Sequence, residues 1–122
     1  MQRIFIETEV FTKLVEESGG RRLLESVQLA VLLDINLPIQ DRDIIKGSGG
    51  FVKLRVADNR NNKGKSGGFR IIYFDLPTLE IVFLFLLYPK SVKETLSLEQ
   101  VAALKAASQE LKKWRPSKKR QK

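Results

Sequence analysis

The stretch from Ile81 to Tyr88 is the part of this chain that most restricts its fold, because every residue from Ile81 to Leu87 is apolar. A helix that crosses a membrane needs about 20 apolar residues, so this run is too short to span a bilayer. A strand that is apolar at each position has to be covered on both of its faces. We therefore expect this segment to be the central strand of a sheet.

Two more strands are predicted before it, at Phe51–Ala57 and Phe69–Leu76, because both are rich in β-branched and aromatic residues. The polar loop Asp58–Gly68 connects the first to the second. A tight turn at Pro77-Thr78 connects the second to a third strand, Glu80–Tyr88. Such direct connections are typical of an antiparallel meander.

The remaining elements are a first strand, Arg3–Glu7, and three helices. The first helix follows Thr8 as its N-cap, and the second runs from about Arg21 to Leu33 after a Ser-Gly-Gly break. The last helix starts at a capping box, Ser97–Gln100. Their expected buried stripes are Val10, Phe11, Leu14 and Val15 in the first helix, Leu23, Leu24, Val27, Ala30, Val31 and Leu33 in the second, and Val101, Leu104, Leu111 and Trp114 in the last.

The predicted fold is a single α+β domain with the order β-α-α-β-β-β-α. It has an antiparallel sheet, an N-terminal α-hairpin and a C-terminal helix. We expect residues 1–116 to form the domain and residues 117–122 to be a basic flexible tail.

The composition removes several classes of chemistry, since the 122 residues include no cysteine and no histidine. Disulfides, thiolate metal sites, cysteine nucleophiles and imidazole acid–base catalysis are all excluded. No glycine-rich nucleotide motif is present. We therefore expect no metal and no cofactor. Acidic residues near the start and the lack of a long apolar core argue against a signal peptide, so a cytoplasmic location is expected.

The net charge of +8 is concentrated in two zones. Residues 46–70 hold seven cations and one anion, and residues 112–122 hold seven cations and no anion. The segments 1–45 and 71–111 are each mildly acidic. Two basic zones on an acidic body indicate a polyanionic partner.

Within the first zone, Lys53 and Arg55 alternate with Val52, Leu54 and Val56. Side chains two apart on a strand lie about 6.7 Å apart on the same face. That spacing can place two cations around one phosphodiester, although a solvated strand face has the same pattern.

Three motifs in order carry a family resemblance: Gly47–Arg55 (GSGGFVKLR), Gly64–Tyr73 (GKSGGFRIIY) and Tyr88–Ser97 (YPKSVKETLS). Together they resemble the RelE/HigB family of toxins from toxin–antitoxin systems, in the RelE/ParE superfamily. The resemblance covers about residues 1–114. It implies a ribosome-dependent mRNA endonuclease, an mRNA interferase that arrests translation and is neutralised by a cognate antitoxin.

By the family pattern, Lys53, Arg55 and Arg70 correspond to active-site cations, and Lys90 and Lys93 to the basic stretch after the last strand. The expected reaction is attack of a ribose 2′-hydroxyl on the adjacent phosphate. It needs a base, cations that stabilise the phosphorane, and an acid for the 5′-oxygen. A lysine serves as base only if its pKa falls well below about 10.4, which burial and nearby like charges favour.

We therefore expect Lys53 to be the base, Arg55 and Arg70 to clamp the phosphate, and Lys93 or Tyr88 to be the acid. The residues expected to bind RNA are Lys46, Lys63, Lys65, Tyr88 and Lys90. Tyr73 and Tyr88 fit core packing as well as base stacking, and the glycine pairs fit tight turns as well as phosphate binding.

Two other functions fit the same pattern. One is a ParE-like inhibitor of DNA gyrase, and the other is a noncatalytic module that binds RNA or DNA. The resemblance also implies a partner, an antitoxin that is itself a small helix-turn-helix DNA-binding protein.

Overall fold

This computed structural model describes residues 3–57, 68–91 and 96–115, which form one α+β domain. The helices and strands are β1 (Ile4–Glu7), α1 (Glu9–Ser18), α2 (Gly20–Asp34), β2 (Val52–Val56), β3 (Phe69–Leu76), β4 (Ile81–Pro89) and α3 (Leu98–Lys113). Two short 3-10 turns, Ile39–Asp41 and Pro77–Leu79, lie in the connections. The predicted α+β class is confirmed, and the predicted order agrees apart from these two turns. The predicted tail, residues 117–122, lies outside the described residues.

The four strands form a mixed sheet in the order β1-β4-β3-β2. The meander β2-β3-β4 is antiparallel, as predicted, but β1 pairs with β4 in parallel. The prediction of a wholly antiparallel sheet was therefore wrong. The helices α1 and α2 carry the chain from β1 at one edge of the sheet to β2 at the other, and such a long connection lets β1 and β2 run in the same direction. Because β4 is two strands from β2 in the antiparallel meander, it shares that direction and pairs with β1 in parallel. The central position of β4 is confirmed.

One face of the sheet, called here the hairpin face, is covered by α1 and α2. Thr8 caps α1 by accepting a hydrogen bond from the Phe11 amide at 3.0 Å, and its hydroxyl donates to the Phe85 carbonyl at 2.8 Å. The buried residues of this side are Phe11, Val15, Leu23, Val27, Val31, Ile35, Val52, Val56, Phe69, Ile71, Tyr73, Val82, Leu84 and Leu87.

Two residues that were predicted to be buried in the hairpin are exposed: Val10 is 58% and Leu33 is 65% accessible. An α-helix turns by about 100° per residue. Leu33 therefore points about 200° away from the buried Val31. Val10 lies at the edge of the stripe that Phe11 and Val15 bury. The apolar pattern of each helix was wider than the face it buries.

The opposite face of the sheet, called here the α3 face, packs against the C-terminal helix. The predicted capping box is present, because the Gln100 amide donates to the Ser97 hydroxyl at 3.1 Å and the Ser97 amide donates to the Gln100 side chain at 2.8 Å. This side is aromatic: the rings of Phe51 and Phe74 are 4.9 Å apart, and those of Phe83 and Trp114 are 5.6 Å apart. Among the described residues, no helix has the length and apolar character that crossing a membrane requires.

The first glycine motif forms the turn that leads into β2 and seats it against α3. Ser48 is fully buried; its hydroxyl donates to the Ile45 carbonyl at 2.7 Å and accepts from the Phe51 amide at 3.1 Å. Gly49 has φ +84°, and a Cβ atom there would lie 2.1 Å from the Ser108 hydroxyl on α3. Both the backbone angle and the close approach require glycine. Of the two interpretations of this motif, the structure favours the tight turn.

Candidate functional site

The three cations predicted for the active site lie on two neighbouring strands. Lys53 and Arg55 are on β2, and Arg70 on β3 is the direct cross-strand partner of Arg55. Arg55 is exposed, whereas Lys53 and Arg70 are half-buried. Directly opposed residues share a face and have Cβ atoms about 5 Å apart, and like charges in that arrangement repel each other.

All three cations line one cleft of about 310 Å³ at the outer edge of β2. The other lining residues are Leu54 and three carboxylates, Asp34, Asp41 and Asp43. The lining charges therefore balance, whereas the site residues predicted from the sequence included no carboxylate. The end of α2, the loop after it and the edge strand meet at this cleft.

The three carboxylates are the residues that sequence reasoning missed. Asp34 is the last residue of α2 and is 9% exposed, while Asp41 and Asp43 lie on the exposed loop that follows. Their only signal in the sequence is that three acids fall within residues 34–43, shortly before the basic zone. The loop between α2 and β2 folds back beside β2, and no local pattern indicates that return.

Asp34 is held by the hydroxyl of Tyr73, which donates a hydrogen bond to its Oδ2 atom. Burial raises the pKa of Tyr73 far above its ordinary value, and the hydrogen bond to Asp34 and the charge of that carboxylate raise it further. The Tyr73 side chain is completely buried. Tyr73 is thus a neutral core residue that supports the floor of the cleft, and stacking on a base is excluded for it.

The loop before β2 is attached to the outer edge of that strand. Ile44 forms an antiparallel bridge with Val52, and the Lys53 amide donates to the Asp43 carbonyl at 2.9 Å. A second bond runs from the Ile45 amide to the Phe51 carbonyl at 2.8 Å. These bonds give Asp43 a defined place opposite Lys53.

A second cleft of about 250 Å³ adjoins the first along this edge. Its walls are mostly apolar, and its charges come from one carboxylate and two lysines. It is lined by Asp43, Ile44, Ile45, Lys46, Lys53, Leu96 and Val101. Lys46, predicted to bind RNA, is exposed at this cleft.

The other residues predicted to bind RNA or to act in catalysis are buried or half-buried, or they lie outside the described residues. Tyr88 is the cross-strand partner of Arg70, but only 8% of its side chain is exposed. Lys90 follows β4 and is half-buried. Lys63, Lys65 and Lys93 lie outside the described residues.

The charged groups of the first cleft lie close together. Within the described part of the chain, neither Lys53 nor Arg55 forms a salt bridge with a carboxylate, whereas Arg3 and Asp75 pair at 3.0 Å elsewhere. The same described residues contain no cluster of three carboxylates that could hold a metal ion. The cleft therefore offers cations and hydrogen-bond acceptors side by side.

No protein-family model matches the chain. The likeness to the RelE/HigB toxins therefore rests on the three motifs and on their arrangement in the sequence.

Proposed function

We propose that this protein is an mRNA endonuclease of the RelE/HigB type, which cleaves translated messages on the ribosome and thereby arrests translation. The observation that carries the proposal is that Lys53, Arg55 and Arg70, separated by up to 17 positions in the sequence, line a single open cleft. Among the described residues, neither Lys53 nor Arg55 forms a salt bridge with a carboxylate, so both can contact a phosphodiester.

The arrangement divides the work between the strands. Arg55 and Arg70 face each other across β2 and β3, and two guanidinium groups suit the equatorial oxygens of a phosphorane. Lys53 lies two residues along the same face of β2, which allows it to act in proton transfer. Catalysis in such a site depends on how the substrate is positioned, and the ribosome supplies that positioning.

The decisive experiment is to induce the protein in bacteria and map the 5′ ends of all messages. We expect new 5′ ends inside translated regions, and the same induction with Lys53→Ala should leave them at background. Lys105→Ala is the matched control, because Lys105 is an exposed lysine on α3 that lines neither cleft. It should cleave like the wild type.

The same experiment separates the other two functions. A gyrase inhibitor of the ParE type would produce DNA damage and growth arrest without new ends in messages. A noncatalytic binding module would produce neither. Either outcome with a folded wild-type protein would refute the nuclease proposal.

The partner proposed for this site is a cognate helix-turn-helix antitoxin that covers the cleft with an acidic segment. Support comes from Arg55, which is exposed and therefore accessible to a partner. Charge reversal by Arg55→Glu should weaken the complex in a titration of purified toxin with its antitoxin. If Arg55→Glu binds as tightly as the wild type, inhibition acts on another surface.

A further inference from the structure

Lys53 and Asp43 hold a special position, since they are the two residues that line both clefts. The first cleft extends from them toward Arg55 and Arg70, and the second extends toward Lys46 and the start of α3. An RNA strand that occupies both clefts has to pass this pair. The junction is therefore where a phosphate between two bound nucleotides would lie.

Backbone pairing with β2 fixes the position of Asp43 at this junction. The Ile44–Val52 bridge is antiparallel, so the residue before Ile44 lies opposite the residue after Val52. Those residues are Asp43 and Lys53, and the bond from the Lys53 amide to the Asp43 carbonyl confirms their alignment. Their side chains therefore lie next to each other on the same face at the edge of the sheet.

The reaction needs a proton acceptor, and the cations of the cleft are poor candidates for that role. Protonated lysine and arginine side chains carry hydrogen-bond donors only, whereas an ionised carboxylate carries acceptors only. Among the described residues that line the first cleft, the side-chain acceptors are Asp34, Asp41 and Asp43.

The three carboxylates are not equivalent. Asp34 is buried, and its Oδ2 atom already accepts the hydrogen bond from Tyr73. Asp41 lies in the 3-10 turn and lines the first cleft but not the second. Asp43 is exposed, and it reaches both clefts.

We propose that Asp43 is the general base of the cleavage reaction, an inference that rests on the nuclease function proposed above. The 2′-hydroxyl of the nucleotide on one side of the junction gives its proton to the Asp43 carboxylate. Its oxygen then bonds to phosphorus, and the bond from phosphorus to the 5′-oxygen breaks. The ammonium group of Lys53 gives a proton to that leaving oxygen. This assignment gives Lys53 the role of acid, in place of the base role expected from the sequence.

The test is single-turnover cleavage of a short message on purified ribosomes by four proteins: wild type, Asp43→Asn, Asp43→Glu and Glu110→Gln. Asp43→Asn keeps the shape of the side chain but removes the acceptor charge, and general-base catalysis is typically worth about 10²–10⁴-fold. We expect a rate loss in that range with unchanged affinity for the programmed ribosome. Asp43→Glu restores a carboxylate and should recover part of the rate. Glu110→Gln makes a similar charge change on an exposed residue of α3 that lines neither cleft, and it should cleave like the wild type.

The two proposals fail in different ways. If the wild type cleaves and Asp43→Asn cleaves at nearly the same rate, Asp43 is not the base and the nuclease function stands. The inference is also overturned if Glu110→Gln loses as much activity as Asp43→Asn, or if Asp43→Asn loses ribosome affinity in proportion to rate. If the wild type leaves the message intact, the nuclease function itself is refuted.

Discussion

The hairpin face and the α3 face of the same sheet differ in how completely helices cover them. On the hairpin face, α1 and α2 cover β2, β3 and β4 with apolar residues that are almost entirely buried. On the α3 face, a single helix packs over an aromatic cluster, and Lys53 and Arg55 on β2 stay accessible. The closed face holds the fold together, and the partly open face presents the charges. Stability and the proposed chemistry should therefore respond to different substitutions.

The largest effect on stability is expected on the hairpin face. Phe11 is completely buried there, and replacing such a residue by alanine typically costs about 3–5 kcal/mol. Arg55→Ala on the other face should change the free energy of unfolding by no more than about 0.5 kcal/mol. Urea denaturation of both variants measures the contrast. A loss for Arg55→Ala as large as that for Phe11→Ala would show that the two faces are not separable in this way.

A second contrast tests how the glycine turn seats β2 against α3. A Cβ at Gly49 would lie 2.1 Å from the Ser108 hydroxyl, whereas at Gly20 nothing lies within 4 Å. Both glycines have positive φ, +84° and +67°, so both alanine variants carry a backbone cost of about 1–2 kcal/mol.

Gly49→Ala should lose about 1–3 kcal/mol more than Gly20→Ala because of overpacking. The two midpoints of thermal unfolding, measured in the same buffer, give the comparison. Equal losses would mean that α3 moves away from the turn without cost.

The sequence predicted the parts of this fold that depend on local pattern. The β3 boundaries, Phe69–Leu76, agree with the prediction, and the uniformly apolar β4 is central because such a strand needs cover on both faces. The parallel pairing of β1 was missed, since nothing local shows where a helical connection returns the chain. The carboxylates of the cleft were missed for the same reason. Asp43 comes beside Lys53 only through the pairing of a loop with the edge of β2. The role of the cations stays a prediction.

The hydrogen bond from Tyr73 to Asp34 joins the two faces, because it lies under the cleft but belongs to the hairpin core. Tyr73→Phe leaves the buried Asp34 carboxylate without this donor, which should cost about 1–3 kcal/mol at neutral pH. The cleavage rate should fall by a smaller factor than the equilibrium constant for folding, since Tyr73 does not line the cleft. Chemical denaturation and single-turnover cleavage of the same preparation check both parts.

The raised pKa of Tyr73 adds a pH dependence with a definite sign. The folded protein holds the Tyr73 proton more tightly than the unfolded chain does, where tyrosine titrates near its usual pKa of about 10. The stabilisation is therefore complete below pH 10 and is lost progressively as the pH rises above it. Tyr73→Phe should show a shallower loss of stability above pH 10 than the wild type. Equal slopes would mean that the Tyr73 proton does not couple to folding.

The smallest effect is expected from the second basic zone, which lies at the end of the chain. Deleting Ser117–Lys122 removes four cations. If they contact RNA, the slope of log affinity against log salt should fall by up to about 3, at about 0.7 per cation for a single strand. The cleavage pattern should stay the same. An unchanged slope would show that the cations of residues 117–122 do not contact nucleic acid.

Lys53→Ala and Arg70→Ala show whether the cations of the first cleft are functional or structural. Cleavage on programmed ribosomes and the melting temperature should be measured on the same samples of each variant. We expect cleavage to fall by about 10²-fold or more. We expect the melting temperature to stay within a few degrees of the wild type. A melting temperature that falls by more than that, together with the activity, would show that Lys53 and Arg70 are part of the scaffold and that their assignment to the site is wrong.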